Sequence, residues 1–108
     1  MGYYTAFTLS IENKGNFDLK DLVKQLKEDC EHAQSAFDDD GNDSDDIKWY
    51  EHVEDLCAFS LKHPEVVFKL HGEGEETGDL WDKYFQNGKY QLCLAEIIYP
   101  PFDPSKLV

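Results

Sequence analysis

The pattern of apolar and polar positions predicts one strand at the start of the chain and three near its end. Alternation with a period of two is typical of a strand with one buried face. It occurs over residues 3–12, 65–71 and 80–85. Residues 86–89 read Gln-Asn-Gly-Lys, and Asn-Gly tolerates the two positive φ angles of a type I′ turn. We therefore predict a tight hairpin whose second strand follows Gly88.

The register of this hairpin follows from its two-residue loop. Counting outward from the loop places Phe85 opposite Tyr90 and Trp81 opposite Leu94. Aromatic and aliphatic cross-strand pairs of this kind stabilise a sheet. We expect the apolar face of the hairpin to form the core, with these members: Trp81, Phe85, Tyr90, Leu92 and Leu94.

Apolar residues with helical spacing predict two helices between the first strand and Pro64. The first helix begins at Asp18, whose carboxylate can cap free amides, and continues to about Phe37. The second covers residues 51–62 and ends before Pro64, because a residue preceding proline disfavours the helical conformation. Between the helices, residues 47–50 (Ile-Lys-Trp-Tyr) predict a short aromatic strand.

These elements predict an α+β fold in a single domain, residues 1–108. Their order is β-α-β-α-β-β-β, and right-handed crossovers place both helices on one face of the sheet. The expected architecture is a two-layer sandwich with a mixed sheet of four to five strands and two helices on one face. Beyond the last strand, the proline-rich residues 100–104 form a rigid tail that should dock Phe102 and Leu107 on the sheet edge.

The charge of the chain narrows the classes of partner. The chain carries 23 acidic residues against 10 basic ones, for a net charge of −13, and every basic residue is lysine. Direct binding of nucleic acid is not expected, because there is neither an electropositive surface nor a guanidinium to read phosphate or guanine. An acidic surface suits a basic protein partner, metal ions, or simply solubility.

The densest acidic stretch is residues 38–46, with six aspartates and no base. A calcium-binding EF-hand loop centred on Gly41 would need ligands at Ala36 and Ile47, so that pattern fails. A solvated acidic loop is the expected structure.

Cysteine usage and hydropathy favour a cytoplasmic protein. The three cysteines, Cys30, Cys57 and Cys93, have no CxxC spacing, and no apolar signal-peptide core follows Met1. No apolar run approaches the length of about 18 residues that a membrane span requires. We find no nucleophile beside a histidine base, no phosphate-binding glycine loop and no zinc spacing, and we therefore expect no cofactor.

Two segments hold residue types from which a site could be built. His52 and Asp55 would share a face of the second helix, where they could serve a metal or a proton transfer, although a surface hydrogen bond is the more common role. Along an extended strand, His71, Glu73 and Glu75 would point the same way and are ligand types for a transition metal. They are weak metal candidates, because same-face residues about 7 Å apart seldom surround one ion.

Several stretches together resemble a family of small proteins from tailed bacteriophages, prophages and large DNA viruses. The likeness covers nearly the whole chain, and these stretches carry it: Tyr3-Tyr4-Thr5 with Phe7, Thr8, Leu9 and Ile11, Lys48-Trp49-Tyr50-Glu51-His52 with Asp55 and Ser60, Gly72-Glu73-Gly74-Glu75-Glu76, Gly78-Asp79 with Trp81, Tyr84-Phe85, and Gly88-Lys89. The family has no established activity, so the resemblance implies a viral context and names no catalytic residue.

Charge and resemblance together predict a small acidic protein-binding factor that acts stoichiometrically on host machinery with a basic surface. One form of this hypothesis is a nucleic-acid mimic that inhibits a defence enzyme or a nucleic-acid enzyme. The candidate binding residues are Trp49, Tyr50, His52, Asp55, Glu73, Glu75, Glu76 and Asp79.

Two alternatives stay open. The first is a small metal-dependent enzyme or ligand-binding domain that uses His52, Asp55 and the segment from His71 to Asp79. The second is a passive structural or assembly protein. One form of it is a homodimer that pairs through the solvent-exposed face of the sheet or through an edge strand.

Overall fold

The protein folds as a four-stranded sheet with three helices. The computed structural model describes residues 3–12, 17–96 and 98–108. The strands are β1 (Thr5–Ile11), β2 (Phe68–Gly74), β3 (Leu80–Gln86) and β4 (Lys89–Leu94). The helices are α1 (Leu19–Asp29), α2 (Glu31–Ala36) and α3 (His52–Ser60), and a 3₁₀ turn covers Pro104–Lys106. The predicted α+β class is confirmed.

The sheet is antiparallel throughout, in the order β1-β2-β3-β4, so the prediction of a mixed sheet was wrong. The reason lies at residues 47–50, which do not form the predicted strand. Ile47 makes a single bridge to Thr5, with N–H···O distances of 2.9 and 3.1 Å. The chain therefore re-enters the sheet at β2, which lies beside β1 and runs in the opposite direction.

The hairpin register is confirmed from Gln86–Lys89 through to Trp81–Leu94. Asn87 and Gly88 take the positive φ angles of 48° and 81° that the type I′ turn requires. A buried serine ties the turn to the helix layer. The Ser60 hydroxyl donates to the Cys57 carbonyl and accepts the Gly88 N–H, both at 2.8 Å.

The first predicted helix is broken into α1 and α2, so the expectation of one helix from Asp18 to Phe37 was wrong. Its start is confirmed, since the Asp18 side chain accepts the Lys20 N–H at 3.1 Å. The break occurs at Cys30, which is extended (φ −135°, ψ 117°) although its N–H still bonds to the Leu26 carbonyl. Neither glycine nor proline occurs at this break.

The core lies between the helices and one face of β1, β2 and β3. Trp49 fills its centre, with Phe7 at 5.3 Å and Phe37 at 6.0 Å between ring centroids. The fully buried sheet residues of this face are Phe7, Leu9, Phe68, Leu70 and Phe85. Within the described ranges, no helix combines the length and apolarity needed to cross a bilayer.

The apolar residues of β4 are not part of this core, which corrects the prediction for the hairpin face. Trp81 and Phe85 are buried as expected, but Tyr90, Leu92 and Leu94 are 52%, 47% and 69% exposed. Helix α3 approaches β4 but leaves these three side chains about half exposed or more. The tail prediction was also wrong, because Phe102 and Leu107 are exposed rather than docked on the sheet.

Candidate functional site

The β1 edge of the sheet is covered by the acidic loop. Besides the Thr5–Ile47 bridge, the Leu9 N–H donates to the Gly41 carbonyl at 2.7 Å. The loop of residues 38–46 therefore passes beside β1, and Gly41 accepts the N–H of Leu9, which would otherwise face solvent. The loop also bonds to itself, as Asp38 Oδ1 accepts the amides of Asp40 and Asn42 at 2.9 and 3.0 Å.

Carboxylates from two distant segments crowd at this covered edge. Partial burial raises the pKa of Asp43, and the charges of Asp46, Asp45 and Glu73 raise it further. Glu73 comes from the end of β2, so the loop and the predicted binding segment do lie close together. The edge is strongly negative, and its own charges repel one another.

The other predicted acidic residues hold the beginning of the chain in place. The Tyr3 hydroxyl donates to Asp79 Oδ2 at 2.5 Å and accepts the Glu76 N–H at 3.1 Å. The hydrogen bond to the Asp79 carboxylate raises the pKa of Tyr3. Glu75 Oε1 accepts the Tyr4 N–H at 2.8 Å, so part of the predicted binding surface is used for structure.

The two aromatic binding candidates are placed very differently. Trp49 is 2% exposed, so it belongs to the core and has no surface to offer a partner. The Tyr50 ring is exposed, while its hydroxyl accepts the Tyr3 N–H at 2.7 Å.

The polar groups around Trp49 form a half-buried network. The Trp49 indole N–H donates to Asp55 Oδ2 at 2.7 Å, and the Trp49 carbonyl lies 2.7 Å from His52 Nδ1. His52 stacks on Trp81, with ring centroids 5.1 Å apart, and its Nε2 lies 2.6 Å from Lys83 Nζ. This arrangement fits a neutral imidazole that donates from Nδ1 and accepts from the lysine at Nε2.

Burial lowers the pKa of both partners in that contact. It lowers the pKa of His52, and the Lys83 ammonium lowers it further against the opposing effect of the Trp49 carbonyl. Burial also lowers the pKa of Lys83, whose ammonium lies 4.2 Å from the centroid of the Trp81 ring.

His71 lies on the opposite face of the sheet. Its Nδ1 is 2.8 Å from Asp82 Oδ1, and its Nε2 is 3.3 Å from Glu73 Oε1. Partial burial lowers the pKa of His71, but the hydrogen bonds to Asp82 and Glu73 outweigh it, so the pKa is raised. Glu75 bonds to Tyr4 instead, so the metal candidates His71, Glu73 and Glu75 are not gathered around one point.

The residues of the enzyme alternative are therefore split between two faces. His52 and Asp55 lie on the helix side of the sheet, whereas His71 and Glu73 lie on the other side. A cleft of about 460 Å³ is lined by residues of 17–25 and 62–66 and includes none of the four.

The open edge of the sheet is β4. In an antiparallel pair, hydrogen-bonded and non-hydrogen-bonded residue pairs alternate. The Ala95 N–H donates to the Leu80 carbonyl at 3.0 Å, which places residues 89, 91 and 93 in bonded pairs with β3. The N–H and C=O groups of the intervening residues, Tyr90, Leu92 and Leu94, point outward. Among the described residues, no strand pairs with β4 on that side.

The open edge is also the neutral part of the molecule. Residues 89–108 contain two lysines, Lys89 and Lys106, and two acidic residues, Glu96 and Asp103. Their net charge is zero, so residues 1–88 carry the whole charge of −13. Exposed apolar side chains continue into the tail, at Ile98, Tyr99, Phe102, Leu107 and Val108.

The sequence prediction missed a group beside Asp55. Cys30 Sγ lies 3.5 Å from Asp55 Oδ2, and His32 stacks on Trp49 with ring centroids 6.1 Å apart. One ligand atom from each of Cys30, His32 and Asp55 lies within 4.8 Å of the other two. The Cys-x-His spacing was visible in the sequence, but in a continuous helix these two side chains would point away from each other.

Comparisons of the chain with protein-family models, with curated proteins and with solved structures each find no match. The functional assignment therefore depends on the surfaces and clusters described above.

Proposed function

We propose that this protein is a stoichiometric protein-binding factor that engages its partner through the open edge of β4. One observation carries the proposal. At Tyr90, Leu92 and Leu94, exposed apolar side chains and outward-pointing backbone groups occur at the same three residues. A partner can therefore gain backbone hydrogen bonds and apolar burial in a single contact.

Strand addition is the mode of binding that suits such an edge. Proteins normally protect edge strands with charge, with proline or with a covering segment. β1 is covered in this way, whereas β4 has no charged residue between Lys89 and its end at Leu94. An extended segment of a partner would add to β4 as a fifth strand, with main-chain bonds for affinity and side-chain contacts for specificity.

The rest of the molecule determines the chemistry of the partner. An apolar, neutral edge on a body with a charge of −13 complements an apolar strand that is flanked by basic residues. Charge complementarity of this kind mainly accelerates encounter and excludes wrong partners. The crowded carboxylates Asp43, Asp45, Asp46 and Glu73 would attract such a basic partner from the opposite edge, in the way that nucleic-acid phosphates would. The resemblance to viral proteins leads us to propose host machinery as the source of the partner.

The proposal is tested with proline at position 92. The Leu92 N–H points away from β3, so Leu92→Pro removes a donor from the open edge and leaves the β3–β4 ladder intact. Gln91→Ala is the matched control, because Gln91 lies on the same strand with its side chain on the opposite face. The wild type and both variants are each immobilised on a support and incubated with a lysate of the cells in which the protein is made. Captured partners are then purified, and their binding is measured by calorimetry.

We expect the wild type and Gln91→Ala to retain the same basic protein and Leu92→Pro to bind it at least about tenfold more weakly. Equal affinity for all three proteins, with unchanged melting temperatures, would contradict binding through this edge.

Self-assembly is the second candidate function, and the neutral charge of residues 89–108 is the observation that favours it. Two copies could pair edge to edge there without bringing like charges together. Sedimentation of the purified chain over a range of concentrations separates the candidates. A dimer that Leu92→Pro dissociates would replace the foreign partner with a second copy of this chain.

A further inference from the structure

We propose that Cys30, His32 and Asp55 form a binding site for a zinc-class transition-metal ion. Their ligand atoms, one from each residue, lie within 4.8 Å of one another. Thiolate, imidazole and carboxylate are the three ligand types that Zn²⁺ uses in proteins. This site is independent of the proposed function, because it lies in the helix layer and not at the β4 edge.

The break between α1 and α2 is what brings two of the ligands together. In an uninterrupted helix, residues two apart point to nearly opposite sides of the axis and could not share an ion. The extended conformation of Cys30 turns its side chain and that of His32 toward the same place. The break leaves Cys30 as the N-terminal cap of α2 without a side-chain capping bond, so the cysteine does not serve as an ordinary helix cap.

Trp49 contacts the other two proposed ligands, His32 and Asp55, from the core side. Its indole N–H donates to Asp55 Oδ2 at 2.7 Å, and its ring stacks on His32 with an interplanar angle of 16°. Groups that hold a ligand by hydrogen bonding or packing fix its orientation and raise its affinity for the metal. Trp49 is itself fixed in the core, so both ligands are positioned by a rigid group.

The geometry needs only a small adjustment to hold an ion. Tetrahedral Zn²⁺ with bond lengths of about 2.0 to 2.3 Å sets its ligand atoms about 3.3 to 3.8 Å apart. Cys30 Sγ and Asp55 Oδ2 are already 3.5 Å apart. A small shift of the His32 ring along the face of Trp49 would bring its nitrogen to bonding distance, and the fourth position would take a water molecule.

Charge around the site favours a cation. His32 opens into a cleft that also contains three acidic residues, Glu31, Asp45 and Asp46, against one lysine, Lys48. Cys30 and Asp55 border a second cleft of about 180 Å³, in which Lys62 is the basic residue. The Lys62 ammonium is bonded to Asp29 at 2.6 Å, so its charge is already compensated.

Titration of the full chain with Zn²⁺ and with Co²⁺ tests this site. Co²⁺ reports thiolate ligation directly through a charge-transfer absorption band in the near ultraviolet. The test variants are Cys30→Ser and His32→Gln, of which the second changes an exposed side chain. The control variants are Cys93→Ser and His71→Gln, which alter a cysteine and a histidine elsewhere on the molecule.

We expect one Zn²⁺ per chain and a cobalt–thiolate band in the wild type and in both controls. Cys30→Ser should abolish the band, and His32→Gln should weaken Zn²⁺ binding by at least about tenfold. Loss of the band in Cys93→Ser, or wild-type binding by both test variants, would overturn the proposal and show adventitious binding only.

Discussion

The two edges of this sheet are treated in opposite ways. At the β1 edge, the loop of residues 38–46 supplies a backbone acceptor at Gly41 and six aspartates, so the edge is both covered and charged. At the β4 edge, backbone groups point outward beside exposed apolar side chains, and the net charge of the adjoining chain is zero. A protein that protects one edge and leaves the other open directs association to the open one.

The acidic residues near the covered edge also differ in their roles. Glu75 and Asp79 bond to the first described residues of the chain, so they contribute to the fold as well as to the charge. In the loop, Asp38 bonds to backbone amides and Asp39 and Asp40 pair with lysines, whereas Asp43 is crowded by other carboxylates. Under the proposed function, charge at the covered edge would keep other strands away and attract basic surfaces, while the contact itself would form at β4.

The largest expected effect comes from a pair of glycine substitutions, one at each edge. Gly41 and Gly88 have φ angles of +84° and +81°. A Cβ on Gly41 would lie 2.4 Å from the backbone carbonyl oxygen of Leu9, whereas one on Gly88 would meet the mobile end of the Leu61 side chain. We expect Gly41→Ala to lower the free energy of unfolding by about 3 kcal/mol and Gly88→Ala by about 1 kcal/mol.

Urea unfolding of both variants provides the measurement, with each variant serving as the control for the other. Equal losses would show that the loop is not held against β1 by the Leu9–Gly41 contact.

A smaller effect is expected at the anchor of the open hairpin. Ser60→Ala leaves the Gly88 N–H without its buried acceptor, so we expect a loss of about 1 to 2 kcal/mol in the same measurement. Gly88→Ala combined with Ser60→Ala should lose less than the sum, because both changes act on one turn. Additive losses would mean that the serine does not hold the turn.

The smallest effect concerns charge at the covered edge. The pKa of Asp43 is raised in the folded state, so the folded chain binds its proton more tightly and stability falls as pH rises from about 4 through that pKa. Asp43→Asn should therefore raise stability at pH 7 by a few tenths of a kcal/mol, and the gain should vanish below about pH 4 and at high salt.

Asp103→Asn is the matched control, because it removes the same charge from the neutral tail. There the hydrogen bonds from Ser105 lower the pKa of the carboxyl, so no gain is expected at pH 7. A gain of similar size in both variants would indicate an effect of overall net charge and not of crowding at one edge.

The sequence predicted elements whose signals are local. Asn87-Gly88 fixes a turn and hence a register, and Asp18 marks a helix start through one hydrogen bond. It failed where the outcome depends on distant contacts. Nothing near Cys30 signals the helix break, and Ile47 follows a strand pattern although only one bridge to Thr5 forms.

The candidate sites show the same division. Sequence spacing placed His71 beside Glu73, which the strand geometry confirms. It could not show that Trp49 is buried or that Asp55 meets Cys30, because these contacts join separate helices. The exposure of Leu92 was equally hidden, since an apolar alternation does not reveal how many strands the helix layer covers.

Amide hydrogen exchange, with and without the captured partner, tests the central claim most directly. In the isolated chain, we predict protected amides at Thr5 and Leu9, which bond to Ile47 and to Gly41 of the loop, and rapid exchange at Tyr90, Leu92 and Leu94. The partner should then protect the amides of these three residues and leave those at the β1 edge unchanged. Protection that increases at the β1 edge instead, with the amides of β4 still exchanging rapidly in the complex, would contradict the account.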